Sequence, residues 1–406
     1  MAKKNLQKRL EKLTILLVTH SRTTGFSQML RNWLKGKVQT LVFIDHPLYP
    51  TKELNSSLVV YKNGILKQSC QSRYLLSSGI LLYAKDLLTT LGYVFKSKER
   101  FDIAIGVDNS NTLALLLLKK LKRIKKVVYH TVDYTPHRFP NRILNSIYHF
   151  IDRWCCYRAD MLWNSSGRMN QGRIKNNAKK DKIALTIITP DGSNFDPKKR
   201  LPLAKINRKM IVFLGHLRPG MGLEMLLESF VRIRKKVPEA KLTIIGDGPL
   251  MKKLKKITQS NQLLVSVIFT GFIKSHERVD NILRKGAIGV ALFEPIEDSI
   301  EYYSDVGKPK VYLAAGLPVV ITKVPEIAWE IDQGEAGIAV NYHQSDFTKA
   351  VITLLENDSL YKKYRQNAIE LSKKYLWDNI FTDAFSKTLA LFINPKLKSA
   401  ALRKII

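Results

Sequence analysis

The sequence predicts two α/β domains, each built on a mainly parallel, doubly wound sheet. The chain has 406 residues, which is enough for two or three domains of ordinary size. Short apolar segments rich in β-branched residues alternate along the chain with amphipathic helical patterns. This alternation stops at Asp196–Lys209, a segment rich in Pro, Lys and Arg, and then begins again. Because parallel neighbours need long crossover connections, usually helices, the alternation favours parallel sheets.

Seven strands and three clear helical patterns are predicted in the first half of the chain. The predicted strands are Thr14–Thr19, Thr40–Ile44, Leu58–Lys62, Ile103–Val107, Val127–Val132, Met161–Trp163 and Leu185–Ile188. The helical patterns are Tyr74–Phe95, Leu113–Leu121 and Asn141–Arg158. We expect Asp196–Lys209 to act as a linker between the two domains.

The second half repeats the alternation and then becomes helical. The predicted strands are Ile211–Leu214, Lys241–Ile245, Val267–Thr270, Ile288–Phe293, Pro318–Ile321 and Gly337–Val340. The predicted helices include Leu223–Lys236, Leu250–Ser260, Lys308–Ala315 and Asp346–Glu356. Beyond Asp358 the pattern is helical to the end of the chain, with a bend expected at Trp377.

Composition favours a globular protein of a reducing compartment. Apolar residues make up 45% of the chain and charged residues 25%, unlike a disordered protein. Of the three cysteines, Cys155 and Cys156 are adjacent in a predicted helix, which suits neither a disulfide framework nor a zinc site. The longest apolar segment, Leu113–Leu118, is far shorter than a membrane-spanning helix. We find no signal peptide and expect a cytoplasmic location.

The charge is strongly positive and unevenly distributed. The net charge is +33, and residues 1–200 hold 36 Lys and Arg against 13 Asp and Glu, or +23 of that total. Such a surface attracts nucleic acid, anionic lipid or anionic substrates. The alternative is an ordinary lysine-rich surface that only contacts solvent.

Three glycine-containing turns in the second half have the features of a phosphate site. Gly215–Gly222 and Gly246–Pro249 each follow a predicted strand and precede a helix, and Ser304–Lys308 opens another helix. Glycines let the backbone approach a phosphate, and a helix N-terminus supplies unpaired N–H groups. A serine hydroxyl and a lysine would add a donor and a point charge. Each turn could instead serve only to reverse the chain, and Lys308 could be a solvated lysine at a helix start.

In their order and spacing, these motifs resemble the nucleotide-sugar-binding domain of GT-B glycosyltransferases, most closely glycosyltransferase family 4. The resemblance covers residues 186–380. It is carried by Gly215–Leu217 with Gly222, Gly246–Pro249, Phe269–Phe272, Tyr312–Val319, Val324–Ile327 and Gly334–Gly337. The candidate donor-binding residues are Gly215, His216, Arg218, Gly246, Gly248, Pro249, Phe272, Ser304, Gly307 and Lys308.

The resemblance implies the GT-B architecture, in which two Rossmann-like domains face each other and C-terminal helices cross back. It implies an acceptor domain over residues 1–195 and a nucleotide-sugar domain over residues 196–375. Residues 376–406 would then form C-terminal helices that pack on the first domain. In parallel sheets of this kind, ligands bind beyond the carboxyl ends of the strands.

The sequence departs from the family at four positions. The family usually has Arg at the position of His216 and Lys at the position of Met221, and both contact phosphate. It also usually has two glutamates, which would fall on Tyr303 and Val311. The ribose contact is therefore left without an assigned residue. The candidates to supply the missing phosphate charge are Arg218, Lys308 and Lys310.

Candidate catalytic residues follow a central strand of the first half. The segment Tyr129–Phe139 is similar to a Tyr-x-x-x-Asp-Tyr-x-Pro-x-Arg-Phe pattern of some bacterial GT-B transferases. Asp133 could act as a base toward an acceptor hydroxyl or position it, or it could pair structurally with Arg138. His130 could contribute to catalysis or be a satisfied strand histidine.

Two further places in the first half are candidates of lower weight. Asp108 and Asn109 follow another predicted strand. The loop Thr19–Phe26, with Gly25, opens a helix, and in GT-B enzymes this loop often lies opposite the sugar phosphate. It could equally be a plain strand-to-helix turn.

These observations predict sugar transfer from a nucleoside-diphosphate sugar to a hydroxyl acceptor, a membrane-associated glycan or lipid-linked precursor. Helix N-termini and Lys308 would stabilise the departing diphosphate, and the chain has no Asp-x-Asp motif, so we expect neither a metal ion nor a further cofactor. The alternatives are a nucleotide-sugar epimerase and a basic nucleic-acid-binding protein, although no nucleic-acid-binding signature is present.

The charge also predicts a place in the cell. We expect the enzyme to be peripheral on the inner, anionic face of the membrane, with its first domain toward the lipid. Apolar residues among the basic clusters, such as Leu6 and Leu10, are expected to be exposed and to insert shallowly.

Overall fold

The computed structural model describes residues 2–21, 25–48, 55–72 and 80–393. The chain forms two compact units. The first comprises the residues up to Pro190 together with those from Trp377 onward, and the second comprises Asp191–Leu376. Within the described residues, no helix has both the length and the hydropathy needed to cross a bilayer. The three cysteines are unpaired.

The strands of the described residues are β1 Thr14–Ser21, β2 Thr40–Pro47, β3 Ser57–Lys62, β4 Ile65–Gln71, β5 Phe101–Val107, β6 Ile124–Thr131, β7 Met161–Asn164, β8 Thr186–Ile188, β9 Met210–Leu214, β10 Lys241–Ile245, β11 Val267–Gly271, β12 Ile288–Ala291, β13 Val319–Thr322 and β14 Gly337–Val340.

The α-helices of the described residues are α1 Ala2–Leu10, α2 Phe26–Leu34, α3 Ile80–Ser97, α4 Asn109–Lys120, α5 Arg142–Arg158, α6 Arg168–Lys175, α7 Leu223–Lys236, α8 Met251–Ser260, α9 His276–Leu283, α10 Ile300–Tyr303, α11 Gly307–Ala315, α12 Ile327–Gln333, α13 Gln344–Glu356, α14 Asp358–Ser372 and α15 Trp377–Ile393. The first part of the predicted helix Tyr74–Phe95 lies outside the described residues.

The first unit contains an eight-stranded sheet in the order β4-β3-β2-β1-β5-β6-β7-β8. From β2 to β8 the neighbours are parallel, which confirms the predicted crossover pattern. The other end is an antiparallel extension, because β3 pairs antiparallel with both β2 and β4. Strand β4 was not predicted. It follows the Asn63–Gly64 turn, whose two residues both have positive φ, the geometry that favours a tight hairpin.

Helices cover both faces of the first sheet. Alternate residues of β1 enter two separate cores: Ile15 and Leu17 pack with α1, α2 and α15, whereas Leu16 and Val18 pack with α3, α4 and α5. Helix α15 is therefore part of the core of the first unit, although it follows the second unit in sequence.

The expectation that Leu6 and Leu10 are exposed is wrong. Both side chains are buried in the core that α1 shares with α2 and α15. They lie four residues apart on one face of α1, whereas Lys4 and Lys8 of the same helix are exposed. These two leucines are therefore unavailable to a membrane.

The second unit contains a six-stranded sheet in the order β11-β10-β9-β12-β13-β14, and all its pairings are parallel. This confirms the predicted doubly wound sheet. Strand β9 lies at the centre, where the strand order changes direction. The segment Asp196–Lys209, which we expected to be a linker, packs on this unit. Phe195 and Ile206 enter its core, and the Arg200 guanidinium donates to the carbonyl oxygen of Ala314 at 2.6 Å.

The expected bend before the last helix is a short 3-10 turn over Lys373–Tyr375, after which α15 begins at Trp377. The backbone of Leu376 forms a parallel bridge with Ser193, and Ser193 donates its N–H to the carbonyl oxygen of Tyr375 at 2.9 Å. Both ends of the second unit are thus held together by backbone contacts.

Backbone contacts join the glycine turns at the carboxyl edge of the second sheet. Gly215 donates its N–H to Ile245 at 2.9 Å, and Leu217 donates to Asp247 at 2.9 Å. Gly246 donates to Gly271 at 3.0 Å and has a φ of +139°, which L-residues rarely adopt. A Cβ atom at position 246 would also overlap the carbonyl oxygen of Gly215. Glycine is therefore required at this position.

We expect Gly246→Ala to lower the free energy of unfolding by about 2–4 kcal/mol, because backbone strain and the steric overlap act together. Urea unfolding monitored by circular dichroism measures the change. Gly307→Ala is the matched control, because its Cβ would meet no neighbouring atom and its φ is not positive. Equal stability of the two variants would contradict the assignment.

Candidate functional site

One charged place at the carboxyl edge of the second sheet is the start of α11. Gly307 is the first residue of this helix and so contributes one of the N–H groups that have no partner within the helix. Lys308 follows it, and its Cε atom lies 3.2 Å from the place a Cβ atom of Gly215 would take. The lysine side chain therefore covers the glycine turn after β9.

The charges around Lys308 favour an anionic ligand. Burial lowers the pKa of Lys308, the nearby Arg218 lowers it further, and Glu301 opposes both. Arg218 is held by an ion pair with Glu301. An anion bound beside Lys308 and the helix N-terminus would restore the stabilisation that its ammonium group loses on burial. The sequence patterns did not single out Glu301, although it lies just two residues before Tyr303.

The other predicted donor residues differ in how accessible they are. His216 and Pro249 are exposed, and Phe272 is 76% exposed. Ser304 is buried and donates its backbone N–H to Ile300 at 2.8 Å. Gly248 approaches the carbonyl oxygen of Leu217 so closely that a Cβ atom would clash with it. This second close approach holds the turns after β9 and β10 against each other.

Lys310 is not available to a phosphate. Its side chain is buried, forms an ion pair with Asp305, donates to the carbonyl oxygen of Asp191 at 2.9 Å and lies 4.7 Å from the ring centre of Tyr375. A buried ammonium with these partners holds α11 to the start of the unit. Of the three candidates for the missing phosphate charge, Lys308 and Arg218 remain.

Tyr303 and Val311 occupy the two positions at which the family usually has glutamates. Tyr303 is buried and donates its hydroxyl to Asp298 at 2.8 Å, and Val311 is half-buried on α11. The backbone N–H of Glu294, which follows β12, donates to Gly220 at 3.0 Å. Glu294 also accepts from the Tyr342 hydroxyl, an interaction that adds to burial in raising the pKa of that tyrosine to about 12.

In the first unit, the position of His130 favours the structural alternative over a catalytic role. Its side chain lies in the core, stacked on Phe26 with ring centres 3.8 Å apart. Its Nδ1 atom lies 3.1 Å from the carbonyl oxygen of Trp163. Burial lowers the pKa of His130 to about 3, so the ring is neutral near pH 7. A buried neutral ring with these partners is not placed to exchange protons with a substrate.

Asp133 and Asp108 lie near each other at the carboxyl edge of the first sheet. Asp133 follows β6 and is half-buried, and Asp108 lies between β5 and α4. Both carboxylates and Tyr148 interact electrostatically with the guanidinium group of Arg138, an exposed residue. The structure thus brings Asp108 together with Asp133 and Arg138, which the sequence placed after a different strand.

The backbone of Asp108 is strained. Its φ and ψ are 68° and 166°, a region that is essentially restricted to glycine. It occupies the cap position of α4 without a side-chain cap hydrogen bond. Burial raises the pKa of its carboxyl group to about 6, against the effect of Arg138. A strained acid at a strand end is a candidate for a functional role.

A polar cluster at the same edge was missed by the sequence patterns. The Nε2 atom of His20 lies 3.0 Å from Asp86, and its Nδ1 atom lies 2.9 Å from the Asn111 amide nitrogen. Lys85 lies 2.9 Å from Asp86, and His46 lies 3.4 Å from it. Burial opposes ionisation of Asp86, but the hydrogen bond from His20 and the neighbouring positive groups lower its pKa overall. The sequence gives no signal for this cluster, because its residues come from four different helices and strands.

The predicted loop around Gly25 is described only in part. Gly25 caps α2 and donates its N–H to the side chain of Gln28 at 3.1 Å. Residues 22–24 lie outside the described residues. Within the described ranges, no three His, Cys, Asp or Glu side chains are grouped as a metal site.

The contributions of Asp108 and Asp86 to the stability of the fold should change with pH in opposite directions. Unfolded, the Asp108 carboxyl ionises at about pH 4. In the fold it ionises at about pH 6, so the stability that it contributes is full below pH 4 and is lost as the pH rises through 6. The variant Asp108→Asn should therefore gain stability relative to wild type over this range. Urea unfolding between pH 3 and pH 7 measures this difference.

Asp86→Asn is the control for this series. The native pKa of Asp86 is lowered, so its contribution is present above the unfolded pKa and is lost as the pH falls through the folded pKa. This variant should lose stability relative to wild type as the pH rises from about 3 to 5. The same sign for both variants would overturn the assignment of the two environments.

Comparison with known proteins agrees with this geometry. The sequence profile of the family described as "Glycosyl transferases group 1" matches residues 208–357, which lie within the second unit. An uncharacterized glycosyltransferase of Methanocaldococcus jannaschii is 26% identical over 41% of this chain and 44% of its own. The sulfoquinovosyl transferase of Arabidopsis thaliana is 25% identical over 46% of this chain and 36% of its own. The chain thus matches half or less of the length of these relatives.

Similar solved structures extend over both units. The HepE protein of Anabaena, solved in complex with UDP, has a TM-score of 0.65 and 13% identity. The similarity covers 93% of this chain and all of that one. At this level of identity the comparison establishes the fold alone. The chain therefore has the GT-B fold, and residues 208–357 of its second unit are similar to the group 1 glycosyltransferases.

Proposed function

We propose that the protein is a glycosyltransferase that moves a sugar from a nucleoside-diphosphate sugar to a hydroxyl acceptor. The observation that carries the proposal is the position of Lys308 at the N-terminus of α11, over the glycine turn that follows the central strand β9. A helix N-terminus and a half-buried lysine are complementary to a diphosphate. The family match of the second unit and the UDP complexes of similar structures support this choice of ligand.

The chemistry requires stabilisation of the diphosphate as it departs from the anomeric carbon. Lys308 and the N–H groups of α11 supply positive charge at fixed positions, and so need little reorganisation during the reaction. Arg218, oriented by Glu301, supplies a second positive charge. Because this charge comes from the protein, we expect transfer to proceed without an added metal ion.

On the acceptor side, we assign Asp133 as the residue that positions or deprotonates the acceptor hydroxyl. Asp108 is the second candidate, because its raised pKa brings it closer to neutral pH, where a general base works best. Arg138 lies beside both carboxylates and favours the ionised form of Asp108.

The acceptor is proposed to be a membrane-associated glycan or a lipid-linked precursor, reached from the inner face of the membrane. The support is the charge, since residues 1–200 carry +23 of the net +33. A basic residue near an anionic leaflet contributes about 1 kcal/mol, so a few well-placed lysines suffice for reversible binding.

Lys308→Ala should weaken the binding of UDP by about 2 kcal/mol, because it removes a charge-assisted phosphate contact. Isothermal titration calorimetry with UDP and the other nucleoside diphosphates measures the effect. Lys349→Ala, which removes an exposed lysine of α13, is the matched control and should bind as wild type does. Unchanged affinity of Lys308→Ala for every nucleotide would disprove the donor site.

Asp133→Asn should lower the turnover number by about 10²- to 10⁴-fold, because the amide keeps the shape of the side chain and removes its basicity. UDP binding should be unaffected, since the donor residues lie in the other unit. Asp181→Asn, at an exposed acid of the first unit, is the control. Wild-type turnover of Asp133→Asn with a loss in Asp108→Asn would move the role to Asp108, and wild-type turnover of both would exclude these acids.

The membrane location predicts that binding to vesicles depends on their charge. The protein should sediment with vesicles containing anionic lipid and bind only weakly to neutral ones. Charge attraction is screened beyond about 8 Å at physiological ionic strength, so added salt should release it. Equal binding to both kinds of vesicle, or binding to neither, would assign the positive charge to another partner.

A further inference from the structure

Helix α5 has an unusual distribution of polarity. Its buried residues are His149, Asp152, Cys155 and Cys156, so two polar side chains lie on its inner side with the two cysteines. Its outer side carries Ile143, Ile147 and Phe150, which are 70%, 49% and 63% exposed. These three are spaced four and three residues apart and so form one stripe along the helix. In an ordinary surface helix the apolar stripe faces the core.

A buried ion pair fixes α5 in this rotation. Arg173 of α6 donates to Asp152 at 3.0 Å, and both side chains are almost fully buried. The Tyr129 hydroxyl donates to the same carboxylate at 2.6 Å, and Arg173 also donates to Thr131 at 2.7 Å. Turning α5 so that the stripe faces inward would expose Asp152 and leave the Arg173 charge buried without its partner, which is strongly unfavourable. The apolar stripe therefore stays on the surface.

The neighbouring helices of the same layer also expose apolar residues. Helix α4 packs between α3 and α5. On α3, Leu81, Leu88 and Phe95 are exposed at intervals of seven residues, and Leu121 is exposed at the end of α4. We call these residues, together with the stripe of α5, the outer face of the layer. Exposed apolar side chains grouped on neighbouring helices are candidates for an interaction surface.

The helices α3, α4 and α5 contribute positive charges to the outer face and no negative charge. The helices α3, α4 and α5 contain two acids in all, Asp86 and Asp152, and both are buried. Exposed cations lie along or near the ends of the same helices: Lys96, Lys120, Arg142 and Arg158.

A basic segment borders the stripe of α5. Lys175, Lys179, Lys180 and Lys182 are all exposed, with Asp181 as the single acid of this segment. Two contacts place it beside α5. The Arg153 guanidinium donates to the carbonyl oxygen of Asn176 at 3.2 Å, and the Lys179 N–H donates to the Tyr157 hydroxyl at 2.6 Å. Lysines and apolar side chains thus lie next to each other on one surface.

We propose that the outer face is the surface through which the protein binds an anionic lipid bilayer, with the stripe of α5 inserted at the level of the headgroups. The proposal rests on the membrane-associated acceptor proposed for the enzyme. A bilayer offers apolar chains and anionic headgroups together, which matches a stripe bordered by lysines. Nucleic acid would match the lysines and leave the apolar residues without a complement.

The test uses the full chain and vesicles of phosphatidylcholine, alone or with roughly one third phosphatidylglycerol. The double variant Ile147→Ser, Phe150→Ser should reduce the vesicle-bound fraction by about tenfold, because it removes apolar side chains that insert. The double variant Lys179→Gln, Lys180→Gln should reduce binding to anionic vesicles and leave the weak binding to neutral vesicles unchanged.

The matched control is Leu264→Ser, Val265→Ser, which removes two exposed apolar residues from the second unit. This variant should bind vesicles as wild type does. Wild-type binding by the Ile147→Ser, Phe150→Ser variant, or equal losses in it and the control, would overturn the outer face as the docking surface. So would failure of the wild-type protein to bind anionic vesicles.

The affinity for UDP separates this inference from the proposed function. None of the three double variants changes a residue of the donor site, so all three should bind UDP as wild type does. If wild type binds anionic vesicles through the outer face and does not bind any nucleotide, the docking surface stands and the transferase assignment fails. If wild type binds UDP and does not bind anionic vesicles, the transferase assignment stands and the docking surface fails.

Discussion

The parallel pairing of strands is the constraint on which the rest of this structure depends. Parallel neighbours cannot be joined by tight turns, so each connection crosses the sheet as a helix and returns to the same edge. The loops that precede these helices therefore gather at the carboxyl ends of the strands. In the second unit this edge holds the turns after β9 and β10 and the start of α11. In the first unit the corresponding edge holds Asp108, Asp133 and His20.

Close backbone packing at the edge of the second sheet turns this general arrangement into a specific site. Gly246 and Gly248 bring their loop against the carbonyl oxygens of Gly215 and Leu217 at distances that no side chain would permit. The same absence of a side chain at Gly215 leaves room for Lys308. The glycines thus determine where a positive charge can lie, and the helix N-terminus adds its N–H groups at the same place.

Buried charges in this protein divide into structural and functional groups according to their partners. Lys310 and Arg173 are enclosed and paired with Asp305 and Asp152, and such pairs are costly to break because one charge would remain buried alone. Each fixes a helix: Lys310 holds α11, and Arg173 fixes the rotation of α5. Lys308 differs because its pKa is lowered and its near neighbour Arg218 is also positive, so the local field favours an added anion. Two lysines only two residues apart in sequence thus have entirely different surroundings.

The sequence by itself determined the elements and their order. Alternating apolar segments and helical patterns predicted the two parallel sheets, because period and length respond to local burial. The Asn63–Gly64 pair also carried the signal for the β3–β4 hairpin, which the search for parallel strands passed over. The strand-end motifs placed Asp133, Gly215, Gly246 and Lys308 at sheet edges, since that placement follows from order along the chain.

Only the tertiary structure decided which side chains at those positions are accessible. His130 and Lys310 look like site residues in sequence and are enclosed in the fold, whereas Leu6 and Leu10 look exposed and are buried. The cluster around Asp86 and the strain at Asp108 depend on residues from different elements meeting at one edge. Burial, hydrogen-bond partners and electrostatic fields arise from contacts between segments distant in sequence, and local patterns carry no information about those contacts.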